Sequence, residues 1–357
     1  MSKQSSTSSS FLSNNALITL SIIWLLLAIF VFLFFSVLPE GADSRSAWYL
    51  NTITIIETGA FLFASFLCFR NWQSTQIVSG RGVWLSIGIG LLLYAGGNIF
   101  FYLWNNVFGL DPSVSFGDFF YLSSYVFLAI GMFKAVLPRR LNLDLKQWAV
   151  VFIVAVLGAA LAIFPQFGGD EAAIAPPAPP SISTLIRLEA PAWAQETAPA
   201  EPAPEEAAPA EEPVPVEAVP EEAPAEPAPV EEVPVEEAAP TTAPAWAVSI
   251  DAFLDPFEDI VGYLYIFGDW LLLVVATTLL VAFWGGRFSQ SWKLIAIAAF
   301  CLYIADMFFA YSYNYVEGAV WEVFWTFSAL FFGLGAVVEN SISSRSRRNP
   351  RRRRAQS

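Results

Sequence analysis

VWLSIGIGLLLYAGGNIFF, residues 83–101, and SWKLIAIAAFCLYIADMFF, residues 291–309, decide how this chain folds. Each is a continuous apolar run that starts beside a tryptophan and carries a polar group near its end. Trp84 precedes Asn98 by 14 residues, and Trp292 precedes Asp306 by the same step. The next helices agree as well: DFFYLSSYVFLAIG, residues 118–131, matches EVFWTFSALFFGLG, residues 322–335, with Asp118 against Glu322, Tyr121 against Trp325, Ser124 against Ser328 and Gly131 against Gly335. The apolar segment before each pair carries one acid, Glu57 in the first and Asp269 in the second. Spacing that holds within helices and slips only in a loop is the signature of an internal duplication.

Composition sets the class. Among 357 residues, 56% are hydrophobic and only 14% charged, too little polar surface for a soluble globule of this length. A helix needs about 20 apolar residues to cross a bilayer. Eight segments qualify, near 16–38, 48–69, 82–104, 118–137, 148–167, 259–284, 293–313 and 320–339. Their continuous apolar runs argue against the alternating strands of a membrane barrel. The expected fold is therefore an all-α polytopic membrane protein, with eight transmembrane helices in two parallel repeats and a long disordered acidic linker. Residues 1–15 form a disordered N-terminus, and 16–168 hold the first four-helix half followed by span five at 148–167, which restores the orientation. Residues 251–341 hold spans six to eight of the second half, and 342–357 are a basic tail. The first apolar segment is too long for a signal-peptide core and lacks a small-residue cleavage site, so it is expected to stay as an anchor.

Sixteen of the 18 Lys and Arg residues fall on the side shared by the two termini; only Arg45 and Arg187 lie opposite. The positive-inside rule then places both termini in the cytoplasm and the linker outside. A bacterial inner membrane is the default location, with an internal photosynthetic (thylakoid) membrane as the alternative. The linker, 169–250, is built of Ala, Pro, Glu and Val and carries a net charge of −16 against −14 for the whole chain. Proline-rich, self-repelling chain of this kind stays unfolded and partly extended. One apolar patch, Ile182–Trp193, is a candidate docking segment. The tail RSRRNPRRRRAQS has no interleaved aromatics, so anionic lipid rather than nucleic acid is its expected partner.

The absence of histidine excludes histidine-ligated metals and histidine-based nucleophilic triads. Cys68 and Cys301 stand alone, without a second thiol at ligand spacing. No phosphate loop, dinucleotide fingerprint or nucleophile elbow occurs, so neither a catalytic role nor a cofactor is expected. The polar residues inside the spans carry the function. Glu57, Asn98, Asp118, Tyr121, Asp269, Asp306 and Glu322 all lie toward one membrane face and form the candidate ligand-binding set. A carboxylate at the centre of a span costs about 2.5–3.5 kcal/mol. No Lys or Arg lies deep in a span to offset it, so these groups need a proton, hydrogen bonds or a cationic ligand. Interhelical hydrogen-bond glue is the alternative role. Trp84 and Trp292 are expected in the aromatic belt at the inner interface, and the glycines at close-packed or helix-end positions.

DPSVSFGDFFYL, residues 111–122, and GGNIFFYLW, residues 96–104, resemble the polytopic membrane sensor regions that precede bacterial diguanylate cyclase and phosphodiesterase domains. Pro112, Ser113, Asp118 and Tyr121 match that pattern and Asp306 matches the acid of its second copy, while Asn98 departs from it. The resemblance implies a sensing role. The chain ends shortly after span eight, so output would pass to a signalling or membrane protein in trans. The expectation is a non-catalytic membrane protein that senses a small polar or cationic ligand at an outward-facing acidic pocket and relays to a partner. A cation- or proton-coupled carrier and a scaffold acting through the acidic linker are the alternatives.

Overall fold

A computed structural model describes residues 13–39, 42, 44–110, 114–136, 143–167, 243–285, 289–312 and 315–354, the side chains of 164–167 and 345–354 excepted. The first 12 residues, most of the linker with its Ile182–Trp193 patch, Pro112 and Ser113 of the turn, and the arginine side chains of the tail lie outside the described residues.

Every regular element among the described residues is helical. In chain order these are α1 (Asn14–Phe35), α2 (Ala47–Gln73), α3 (Arg81–Tyr102), α4 (Phe116–Val136), α5 (Leu145–Phe167), α6 (Ala245–Leu254), α7 (Glu258–Ala282), α8 (Ser289–Tyr311) and α9 (Val323–Arg354). Eight stretches of these helices are long and apolar enough to cross a membrane, matching the eight expected spans. The chain is accordingly a multi-pass membrane protein.

Four boundaries differ from the sequence reading, the first at Asn14 and Asn15, which belong to α1 rather than to a disordered N-terminus. Residues 245–250, assigned to the linker, already belong to α6. Pro244 precedes the first turn with extended backbone, and the apolar AWAVSIDAFL seats Ala247 against Trp104 and Leu110, so packing organises this end of the linker. A single 3₁₀ turn, Asp255–Phe257, joins α6 to α7. At the end of α3 the backbone widens into a π-turn, Leu103–Val107. Helix α9 continues through Arg354, well into the stretch taken as tail. It contains no glycine after Gly335 and no proline before Pro350, so nothing local stops it earlier.

Six helices form a ring in which each packs on the next: α2 on α3, α3 on α4, α4 on α7, α7 on α8, α8 on α9, and α9 back on α2. Helix α1 lies against α9 and α2, and α5 lies against α7. Lipid offers no hydrophobic drive between helices, so close approach and hydrogen bonds hold them together. Small residues permit the approach. A Cβ on Gly131 of α4 would stand 2.6 Å from Ile87 Cγ1 of α3, and one on Gly335 of α9 would stand 2.8 Å from Ile295 Cδ1 of α8. Outer helices are tied to backbone carbonyls: the Trp24 indole donates to Ile56 O, the Trp270 indole to Ala155 O, and the Tyr303 hydroxyl to Gly158 O.

Trp84 and Trp292 do not sit in an interfacial belt. Both are fully buried and stack on one another inside the ring, with ring centroids 6.4 Å apart and planes inclined by 28°. Their position at the helix start suited a belt, but on a ring helix the first turn can face inward as readily as outward. Cys68 and Cys301 are buried as free thiols.

Candidate functional site

At the end of the bundle where α2, α4 and α7 begin, the ring encloses a cavity of about 420 Å³. All seven candidate residues line it: Glu57 from α2, Asn98 from α3, Asp118 and Tyr121 from α4, Asp269 from α7, Asp306 from α8, and Glu322 from the turn before α9. Three further acids that the sequence reading did not select join them. Glu258 and Asp259 come from the exposed first turn of α7, and Glu317 from the loop before α9. The cavity is thus lined by eight carboxyl side chains, and by no Lys or Arg among the described residues.

Two tyrosines on α4 organise the deep part. Tyr121 and Tyr125 are four residues apart, hence on one helix face. Each ring rests on a glycine of a neighbouring helix: a Cβ on Gly97 of α3 would stand 2.5 Å from the Tyr121 ring, and one on Gly268 of α7 would stand 2.8 Å from Tyr125 Cδ1. That proximity brings each hydroxyl to its target. Tyr121 donates to Asn98 Oδ1 at 2.8 Å, and the Asn98 amide donates to Glu57 Oε1 at 2.9 Å. The Tyr125 hydroxyl lies 2.8 Å from Asp269 Oδ1 and 2.6 Å from Asp306 Oδ2. Asp306 Oδ1 also accepts from the Trp325 indole at 2.6 Å.

Asp118 and Glu322 are held differently. Asp118 Oδ2 accepts from the backbone N–H of Ser115 at 2.7 Å and from its hydroxyl at 2.9 Å, and Oδ1 accepts from Tyr265 at 2.6 Å. Glu322 Oε1 accepts from the backbone N–H of Gly318 and of Ala319, both at 2.7 Å, and from Tyr315 at 3.0 Å. Each acid therefore reaches back three residues to cap its own helix start, where the unsatisfied N–H groups and the positive end of the dipole favour negative charge. These two carboxylates shape the mouth of the cavity. Asp269, Glu57 and Glu322 each have one carboxyl oxygen with no donor among the described residues. Asp269 is 1% exposed, and its Oδ2 is buried with no hydrogen-bond donor among the described residues, while among those residues Glu57 and Glu322 accept through Oε1 alone.

Arg45, the one Lys or Arg at this end among the described residues, is turned away from the acids. Its guanidinium donates to the backbone carbonyls of Ser36, Val316 and Glu317 and so clamps the loop before α9. Gly318 in that loop has φ +91° with its Cβ direction filled by Tyr49, whose hydroxyl donates to Gly318 O; only glycine fits there without strain. Burial raises the Glu317 carboxyl above its ordinary value. Among the other hydroxyls of the bundle, Tyr265 donates to Asp118, while Thr54, Tyr303 and Tyr311 donate to backbone carbonyls. No cluster of three or more acids or cysteines is close enough to hold a metal ion among the described residues.

The set Trp325, Tyr125 and Tyr265 completes the first layer around the acids. Trp325 was visible as the counterpart of Tyr121, but its indole bond to Asp306 depends on a crossing between α8 and α9 that spacing alone does not give. The first-turn acids Glu258 and Asp259 carried a weak signal, two charges where an apolar helix begins. No family model, curated protein or solved structure matches the chain.

Proposed function

We propose that this protein is a non-catalytic membrane receptor that binds a small organic cation in the acidic cavity and passes the bound state to a partner. The observation that carries this reading is the lining itself: eight carboxyl side chains, no neutralising Lys or Arg among the described residues, and aromatic faces from Tyr94, Tyr121, Tyr125 and Trp325 between them. Carboxylates supply charge and aromatic rings supply cation–π attraction, a combination suited to ammonium groups. A cavity of this size accommodates a small organic molecule. By the distribution of Lys and Arg, the mouth faces away from the cytoplasm.

The two halves are read as parallel repeats. Three matched contacts support that reading. Gly131 on Ile87 corresponds to Gly335 on Ile295; Tyr121 donating to Asn98 corresponds to Trp325 donating to Asp306; and the Asp118 cap at Ser115 corresponds to the Glu322 cap at Ala319. Departures from the match, Asn98 for Asp306 above all, make the second half the more acidic. The relay is assigned to α9, which begins at the cavity with Trp325 on Asp306 and runs as one helix to Arg354.

Tetraethylammonium is a suitable probe, because it carries a permanent charge and no proton. Calorimetry on the full chain in lipid nanodiscs is expected to give saturable binding, weakened about tenfold or more in Glu57→Gln, the equivalent of one charge-assisted contact of about 1.5–3 kcal/mol. Absence of binding, or equal binding by the variant, rejects the proposal. The carrier reading draws on the Asp269 oxygen that has no donor among the described residues, since a group left half-satisfied is suited to releasing what it holds. Uptake of the labelled probe into liposomes, lost in Asp269→Asn, would favour it over the receptor.

A further inference from the structure

We infer that Asp269 and Asp306 hold one proton between them, and that a cation entering the cavity takes its place. The inference rests on the cation-binding reading and adds an exchange step to it. A phenol has one proton to donate, yet the Tyr125 hydroxyl faces two carboxyl oxygens, at 2.8 Å and 2.6 Å. Two hydrogen bonds at those distances require a second proton, and the carboxyls are its only source. Asp306 Oδ1 is already occupied by the Trp325 indole, whereas Asp269 Oδ2 is buried without a donor among the described residues. Two full negative charges meeting at one hydroxyl would repel, and the usual remedy is to share a proton.

Among the described residues no Lys or Arg lines the cavity around the pair. From α2 it is faced by Glu57, from α3 by Tyr94 and Asn98, and from α4 by Tyr121 with Asp118 beyond it. Tyr265 of α7, Tyr303 of α8, Trp325 and Glu322 at the start of α9, and Tyr315 and Glu317 of the preceding loop stand around it as well. Every titratable group in this shell is an acid or a phenol. The exchange balances: one O–H bond of the carboxylic acid breaks, its electron pair stays on oxygen, and the proton leaves to water at the mouth past Glu258 and Asp259. The cavity then gains one positive charge and loses one.

The test uses the full chain in nanodiscs at neutral pH. Infrared difference spectra are expected to show the carbonyl band of a protonated carboxylic acid in the wild type, absent from Asp269→Asn and from Asp306→Asn, and lost when tetraethylammonium binds. Calorimetry in two buffers of different ionisation enthalpy is expected to report one proton released per cation bound; because the probe has no exchangeable proton, that proton comes from the protein. A band that is missing from the wild type, persists in both variants, or survives saturation with the probe overturns the inference, and leaves cation binding intact if calorimetry still shows it. A band present with no binding by calorimetry overturns the displacement together with the proposed function.

Discussion

At the scale of single residues, two glycines decide where two tyrosines point. The acids could be found in the sequence because a carboxyl in an apolar run is conspicuous by its cost. Gly97 and Gly268 could not, because their use depends on the register between facing helices, which spacing along one chain does not contain. Gly268→Ala would place a methyl 2.8 Å from the Tyr125 ring and swing the hydroxyl off Asp269, so it is expected to weaken probe binding as Tyr125→Phe does. Tyr125→Phe removes the hydroxyl shared by two buried carboxyls. Leaving a buried group without its partner costs about 1–3 kcal/mol, and pairs inside membranes run lower, about 0.6 kcal/mol on average. With two acceptors affected, a loss of about 1–2 kcal/mol is expected on chemical unfolding in detergent. Tyr102→Phe is the control: Tyr102 also lines the cavity but donates to no acid among the described residues, and its variant should unfold as the wild type does.

Among the elements, the eight spans were legible because length and continuous hydropathy report directly on a bilayer crossing. What escaped was whatever tertiary contact creates. The α6 segment looked like linker until Trp104 offered Ala247 a seat, and the two tryptophans looked interfacial until the ring turned them inward. Helix crossings give a sharper test. Gly131→Ala and Gly335→Ala push a methyl into Ile87 and Ile295, and each should lower the melting temperature by a comparable amount, overpacking of this kind costing about 1–3 kcal/mol. Gly82→Ala meets nothing within 4 Å and should raise it, by the better helix propensity of alanine. Unequal effects at Gly131 and Gly335 would speak against the repeat reading. The loop before α9 supplies a pH test. Glu317 is half-buried and its carboxyl is raised above the ordinary value. A raised carboxyl favours the fold while protonated, so its contribution is fully present below the unfolded value and is lost as pH rises through the folded one. Glu317→Gln stays neutral throughout, and its melting curve should lose that part of the pH dependence, the gap from wild type widening in the variant's favour as pH increases. Parallel curves would show that the carboxyl is indifferent to folding.

Taken whole, the bundle gathers buried acids into one cavity. The acids converge at one end of the ring, and the two described segments that flank the linker reach the same end: α5 at Leu161, whose carbonyl Tyr311 of α8 reaches, and α6 beside Trp104. The linker between them carries sixteen net negative charges, and the cavity is lined by eight carboxyl side chains. Their effect on a cation depends on range. At physiological salt the Debye length is about 8 Å, so a charge cloud outside the mouth adds little to the affinity of a ligand already seated among the acids. At low salt the same cloud raises the local concentration of cations and speeds their arrival. Replacing residues 175–240 by a Gly-Ser linker of equal length removes the charge and keeps the tether, while Pro244 and α6 remain. The expected result is an unchanged equilibrium affinity for tetraethylammonium at physiological salt and a slower association at low salt, read by stopped-flow fluorescence. A scaffold acting through its linker predicts the reverse, since co-purifying partners would be lost while both binding constants stayed as they were. Loss of affinity at physiological salt would mean that the linker itself contributes groups to the site, and the cavity as described would then be incomplete.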